Sequence, residues 1–369
     1  MLDIFAGKNA LKTIQENGFK QEIFINFLGA SGGPKWFTLF GLDKYLFGDF
    51  FKDRTTELNL IGSSAGAFRA AALTQKDPVK AIERLAYTYA NTVYSSKPSP
   101  QEISNQAVLI VDQLFAEKGA DEIINNKVFK AHFLVAKCNG LTSFDNKIVQ
   151  GAGLLNSMLL NKIARKLLSK QYERYIFQHP SSSLIINDPY EFSNSYEVLT
   201  TDNIKSALLA SGSIPMVMSG IKNIAGSKNG TYRDGGIIDY HFDFSLSNTK
   251  LDKHRTYDKS VEADNTEEYG LTLYPHFCSK PKAGWFDKNS NRKVSASSYE
   301  NTVLLAPSQS FIQSLPYGKI PDRTDFSQLD ASTRIKYWLK VLEQTEKLAE
   351  CFNEFVIKQD ITKIKAFQP

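Results

Sequence analysis

Cysteine is scarce in this chain of 369 residues. Cys138, Cys278 and Cys351 lie far apart, form no C-x-x-C and have no histidine at ligand spacing, which excludes a disulfide framework and a zinc ribbon or finger. A reducing compartment fits best. No charge of one sign dominates either: the formal net charge is +5 with a pI near 8.8, and the basic residues are not clustered. That excess suits attraction to anionic lipid or phosphate but is too weak and dispersed to argue for nucleic acid. The chain also lacks a long apolar run. No window approaches the roughly 20 apolar residues that span a bilayer, so membrane contact is expected to be peripheral if it occurs at all. Met1 to Phe19 carries Asp3, Lys8, Lys12 and Glu16 and does not read as a secretory signal, so a cytoplasmic location is expected. With 22 glycines and 13 prolines, and 42% hydrophobic residues, the composition excludes collagen-like and wholly disordered chains and leaves a folded globular protein.

The order of elements points to an α/β layered fold with a mostly parallel central sheet. Gln21 to Leu28 is a β-branched and aromatic run that stops at Gly29-Ala30-Ser31-Gly32-Gly33-Pro34, a strand followed by a tight loop; Pro34 then opens a helix through Phe40. Leu58 to Ile61 is a second strand, and Gly62-Ser63-Ser64-Ala65-Gly66 leads from it into the small-residue run Ala67 to Thr74. Asp77-Pro78 caps a further helix, another is expected from about Gln101 to Glu117, and strands are expected at Phe129–Cys138, Ser183–Ile186, Leu271–Tyr274 and Thr302–Leu305. Two charged stretches, Asn248 to Gly270 and Ser279 to Glu300, read as excursions from the core. The pattern from Ser327 to Lys358 predicts closing helices, and no linker divides the chain. A single catalytic unit over residues 1–369 is expected, with the chemistry in about 21–245 and a helical extension over about 327–360.

Three segments carry candidate chemistry. Gly62-Ser63-Ser64-Ala65-Gly66 is a G-x-S-x-G between an apolar strand and a small-residue helix, the setting in which a sharp turn projects Ser64 as a nucleophile and leaves room only for glycine at Gly62 and Gly66. The bland alternative is an ordinary Gly/Ser turn. The glycine loop can supply backbone N–H groups at Gly32 and Gly33 which, with that of Ala65, would converge on an oxyanion. A phosphate-binding P-loop is excluded, because it would need Gly at Pro34 and Ser or Thr at Trp36. Tyr232-Arg233-Asp234-Gly235-Gly236 presents an acid at a glycine turn, where Asp234 could take the serine proton; a simple D-G turn is the alternative.

In this order the three segments resemble the patatin-like phospholipase family, whose G-G-G-x-[KR]-G loop is matched by Ser31-Gly32-Gly33-Pro34-Lys35-Trp36 with the first and last glycines replaced. Ala210-Ser211-Gly212-Ser213-Ile214-Pro215 is similar to the A-S-x-A-x-P segment of that family. The resemblance covers about Ile23 to Asp239. It implies a three-layer α/β/α sandwich and a Ser64-Asp234 dyad without histidine. It also implies a steadying role for Lys35, a turn held by Gly235 and Gly236, a lipid or lysophospholipid substrate, and no metal or cofactor.

Competing readings use the same residues. Asp239, His241 and Asp243 would share one side of a strand and could bind a hard metal. A Ser-His-Asp esterase would need His241, His254 or His276. A lipid-binding or interaction protein could keep the fold without turnover. Leu160, Ile163, Ala164, Leu167 and Leu168 at helical spacing, opposite Lys162, Arg165, Lys166 and Lys170, fit either a core-covering helix or one resting on an anionic membrane. Oligomeric state, head group and chain length are not written in the sequence.

Overall fold

The computed structural model describes residues 1–248 and 270–369. His254 and nearly all of the excursion from Asn248 to Gly270 therefore lie outside the described residues. The strands, in chain order, are β1 (Leu2–Ala6), β2 (Phe24–Gly29), β3 (Leu58–Ser63), β4 (Phe129–Cys138), β5 (Tyr172–Gln178), β6 (Leu184–Asn187), β7 (Asn194–Val198), β8 (Ile221–Lys222), β9 (Thr231–Asp234), β10 (Ser245–Asn248), β11 (Leu271–Pro275), β12 (Thr302–Pro307) and β13 (Ile364–Ala366).

Eleven of them form one mixed sheet in the order β13-β1-β12-β11-β2-β3-β4-β5-β7, with β9 also paired to β4 and β8 to β9. The central run β12-β11-β2-β3-β4 is parallel throughout. Successive residues of its strands bury on opposite faces. Phe27, Leu60, Phe133 and Leu273 enter one apolar cluster, while Leu28, Ile61, Leu134 and Tyr274 enter another. A strand buried on both faces reads as a continuous apolar run, which is why these segments stood out in the sequence. Helices cover both faces, giving the three-layer α/β/α arrangement.

The edges were less legible. β1 and β13 add the two described ends of the chain to one side of the sheet, β1 antiparallel to β12 and β13 parallel to β1. The strand expected at Ser183–Ile186 forms as β6, but it pairs with β10 in a separate two-stranded sheet. The helix expected from Pro34 begins as a 3-10 turn, Gly33–Leu39, and becomes α-helical only at Phe40–Tyr45. The closing helices form at Ala331–Gln344 and Glu346–Lys358.

Two expectations are corrected. Ser279 to Glu300 is not an excursion: Ala283, Asp287 and Tyr299 are buried, and Asp287 receives Asn161 Nδ2 at 2.8 Å and pairs with Arg165 at 3.4 Å. The apolar residues Leu160 to Leu168 do not share one helix. The helix Lys147–Ile163 ends at Ala164, which is extended at φ −158° and ψ 129°, and a 3-10 segment, Arg165–Lys170, follows. Arg165 turns inward to Asp287 and to the carbonyl of Ile238, so it does not line a charged outer arc. Among the described residues no helix is long and apolar enough to cross a membrane, and the three cysteines are unbonded.

Candidate active site

Sheet register accounts for the meeting of Ser64 and Asp234. Ser63, at the end of β3, pairs with Leu134 of β4; the next residue, Val135, pairs with Asp234 of the antiparallel β9. The serine after β3 and the aspartate ending β9 are thus brought to the same level of the sheet from distant parts of the chain. Ser64 Oγ donates to Asp234 Oδ2 at 2.7 Å.

The turn carrying Ser64 is strained and tightly packed. Ser64 sits at φ 53° and ψ −124°, a region that L-residues rarely occupy, immediately before the helix Ala65–Leu73. A Cβ on Gly62 would lie 2.2 Å from the carbonyl oxygen of Gly66, and one on Gly66 would lie 1.7 Å from that of Gly29. The two glycines let strand, turn and helix touch. Gly235 and Gly236 are hemmed in likewise, by the Leu134 carbonyl oxygen at 2.1 Å and by Ser31 Oγ at 2.6 Å.

The segment Ala210-Pro215 fastens the backbone at both functional residues. Ser211 Oγ accepts from the Ser64 amide at 2.9 Å and donates to the Leu134 carbonyl at 2.7 Å. The Ser213 carbonyl accepts from the Asp234 amide at 3.0 Å, and the Gly236 amide donates to Asp234 Oδ1 at 2.7 Å. With one carboxylate oxygen held by Gly236, the other faces the hydroxyl. Burial raises the Asp234 pKa, against the opposing pull of Arg323, the Ser64 and Gly236 hydrogen bonds, and Lys288. The carboxylate is therefore a stronger base than an exposed aspartate.

The glycine loop lies beside the serine. Gly33 has φ 56°, a conformation that suits glycine, and Ser31 ties the loop to β3 through Ser63 Oγ at 3.0 Å. Among the described residues, no backbone or side-chain acceptor takes the amides of Gly32, Gly33 or Ala65. Lys35 does not reach toward the serine. It pairs with Asp322 at 2.7 Å, which binds the loop to the segment carrying Arg323. Buried Asp325 secures that segment by accepting from the Asp322 amide at 2.8 Å and from Trp338 Nε1 at 3.0 Å.

Arg323 and Lys288 are the residues that sequence reasoning missed. The Arg323 side chain lies against Gly33, where an added Cβ would meet its Nε at 2.6 Å. Arg323 lines both an apolar cavity that includes Ser64 and a small recess at Asp234; Lys288 lines the recess. Burial first, then the Arg323 charge, bring Lys288 down to about 8. Neither residue belongs to a recognisable motif.

The apolar cavity, about 340 Å³, is lined by Ser64 with Trp36, Phe68, Leu85, Ile110 and Leu209 among others. Trp36, which stands where the family loop has glycine, is one of its walls.

Among the described residues, which do not include His254, the competing site readings do not assemble. Asp239 to Asp243 is a loop after the Gly235–Ile237 turn, not a strand. Asp239 is held by Arg174 at 2.6 and 2.7 Å, Asp243 by Tyr190 Oη and the Ser295 amide, and His241 Nδ1 by the Lys282 amide at 2.9 Å. His241 and His276 hydrogen-bond to neither Ser64 nor Asp234, and burial holds both well below the usual histidine range, His276 at about 3. His241, His276 and Cys278 do bring three potential metal-ligating atoms within 4.8 Å of one another. Because His241 Nδ1 accepts from Lys282, a neutral His241 carries its proton on Nε2, the nitrogen it would need for ligation.

Comparison with known proteins adds the following. The patatin-like phospholipase family model matches residues 59–241. No curated protein matches the chain by sequence. Among solved structures, VipD from Legionella pneumophila is 12% identical, with 68% of this chain and 50% of that chain covered and a TM-score of 0.29. Human GIVD cytosolic phospholipase A2 is 8% identical, with 96% and 63% covered and a TM-score of 0.39. The chain thus spans less than two thirds of either protein's length. The glycine loop, Lys288 and Arg323 fall outside the family match, but Ser64 and Asp234 fall within it, in the stretch 59–241 that matches the patatin-like phospholipase family.

Proposed function

We propose that the protein is a lipid acyl hydrolase that cleaves a carboxylic ester of a phospholipid or lysophospholipid through an acyl-enzyme on Ser64. The observation that carries this reading is the Ser64 Oγ to Asp234 Oδ2 hydrogen bond of 2.7 Å, with Ser64 lining an apolar cavity. Asp234 takes the hydroxyl proton as Oγ bonds to the ester carbonyl carbon. The charge that develops on the carbonyl oxygen is received by the free amides of Gly32, Gly33 and Ala65, with the Arg323 charge nearby. Collapse of this intermediate breaks the bond to the alcohol, which leaves with the proton from Asp234. Water then attacks the acyl carbon, gives its proton to Asp234, and the fatty acid departs as that proton returns to Ser64 Oγ.

The cavity volume, at the lower end of small-molecule sites, suits one acyl chain, with the glycerol and head group left at the mouth. Hydrolysis of a short-chain p-nitrophenyl ester and of a lysophospholipid tests the proposal. Both activities should vanish in Ser64→Ala and in Asp234→Asn. Turnover that survives Ser64→Ala, or none in the wild type, would overturn it, the latter outcome in favour of a lipid-binding protein on the same fold.

A further inference from the structure

The helix Lys147–Ile163 is built inside out. Its buried positions are Gln150, Gly153, Ser157 and Asn161, while Ile148, Leu155, Met158, Leu159 and Ile163 are exposed, Ile148 and Ile163 by 84% and 76%. Each inward polar side chain makes at least one hydrogen bond, with Asn161 Oδ1 left unpartnered among the described residues. Gln150 Nε2 donates to the Phe144 carbonyl, Ser157 Oγ bonds Gln171 and Tyr172, and Asn161 Nδ2 donates to Asp287. An ordinary surface helix hides its apolar stripe, so this one presents water with a face that belongs against something else.

The same face continues to the cavity. Leu141 and Phe144 precede the helix and are also exposed, and Gln150 Oε1 accepts from the Met216 amide at 2.6 Å, which places the half-exposed Met216 and Val217 alongside. Nine of the sixteen large apolar side chains exposed among the described residues lie in these two segments. Val217 and Met218 line the cavity that Ser64 also lines. The charges around the face are mostly basic: from Lys147 to Tyr172 there are five basic residues and no acidic one, Lys162, Lys166 and Lys170 are exposed, and the acidic Asp145 beside Phe144 is paired with Arg233.

We propose that this face docks the protein on an anionic lipid bilayer, with the apolar side chains entering the interface and the lysines meeting the head groups, so that the cavity mouth opens at the membrane surface. The inference rests on the lipid hydrolase reading for its purpose. Apolar side chains interleaved with lysine, continuous with a lipid-sized cavity, fit a bilayer better than a protein partner.

Co-flotation of the full chain with vesicles of phosphatidylcholine, with and without phosphatidylglycerol, tests it. The wild type should bind, and more tightly with phosphatidylglycerol. Leu155→Asp/Leu159→Asp should weaken binding by about tenfold or more, while short-chain soluble ester hydrolysis stays unchanged and reports an intact fold. Lys162→Glu/Lys166→Glu should abolish the preference for phosphatidylglycerol, and Ile357→Asp, an exposed apolar residue elsewhere, should change nothing. Wild type that does not float, or a Leu155→Asp/Leu159→Asp variant that floats as the wild type does, would overturn the proposal. So would a change in oligomeric state of that variant on size exclusion, which would assign the face to a second copy. Vesicle binding by Ser64→Ala separates the two claims: docking that persists without any wild-type ester hydrolysis would sink the enzymatic reading alone.

Discussion

The strain at Ser64 yields a prediction about stability that is independent of turnover. A non-glycine residue at φ 53° and ψ −124° is held there by its surroundings, at a cost of about 1–3 kcal/mol that glycine does not incur. Replacing Ser64 by alanine or by glycine removes the same hydroxyl and leaves Asp234 Oδ2 without its 2.7 Å donor in both variants. Their difference therefore isolates the backbone. Glycine recovers the strain but loses about 0.4–1 kcal/mol through the greater freedom of the unfolded chain. The balance predicts Ser64→Gly to be more stable than Ser64→Ala by about 1 kcal/mol, read as a higher urea midpoint at unchanged slope. A Ser64→Ala variant equal to or more stable than Ser64→Gly would refute the claim that the turn stores strain to present its side chain.

Two further expectations concern charge. Asp234 must be ionised to accept a proton and its pKa is raised, so the acidic limb of kcat/KM should lie above the ordinary aspartate value of 3.8. Lys288, at about 8, carries its charge below that pH and loses it above, so activity should step down as pH rises through 8. In Lys288→Met a pH–rate profile should lose this step, and its acidic limb should move up, because one of the charges that lower the Asp234 pKa is gone; an unchanged profile would contradict the placement. In the core, Arg69 and Asp43 form a fully buried pair through bonds of 2.8 and 2.7 Å. Arg69→Met should cost about 3–5 kcal/mol in urea unfolding, because it strands a buried carboxylate.

The parts of the site that were legible in the sequence are those where geometry restricts residue type. Gly62 and Gly66 had to be glycine because backbone passes within contact of their α-carbons, so the five-residue motif could be read without knowing what packs there. The apolar runs of β2, β3 and β4 were legible because those strands bury both faces. Reading failed where it carried one helical period across a break: Leu160 to Leu168 spans the end of the helix Lys147–Ile163 at the extended Ala164, and that helix buries Ser157 and Asn161 while exposing Leu155 and Leu159. Alternation failed at Asp239, His241 and Asp243, because the Gly235-Gly236 turn ends the strand before they begin. Arg323 and Lys288 were invisible for another reason: they reach the site through tertiary packing of loops, one fastened by Asp325 and the other following buried Asp287, and neither loop has a local signature.

The most direct test of the account is to treat the protein with a fluorophosphonate and map the adduct by peptide mass spectrometry. The account predicts a single covalent adduct on Ser64, absent in Ser64→Ala and strongly slowed in Asp234→Asn. Modification of another residue with Ser64 untouched, or labelling of Ser64 at an undiminished rate in Asp234→Asn, would contradict it.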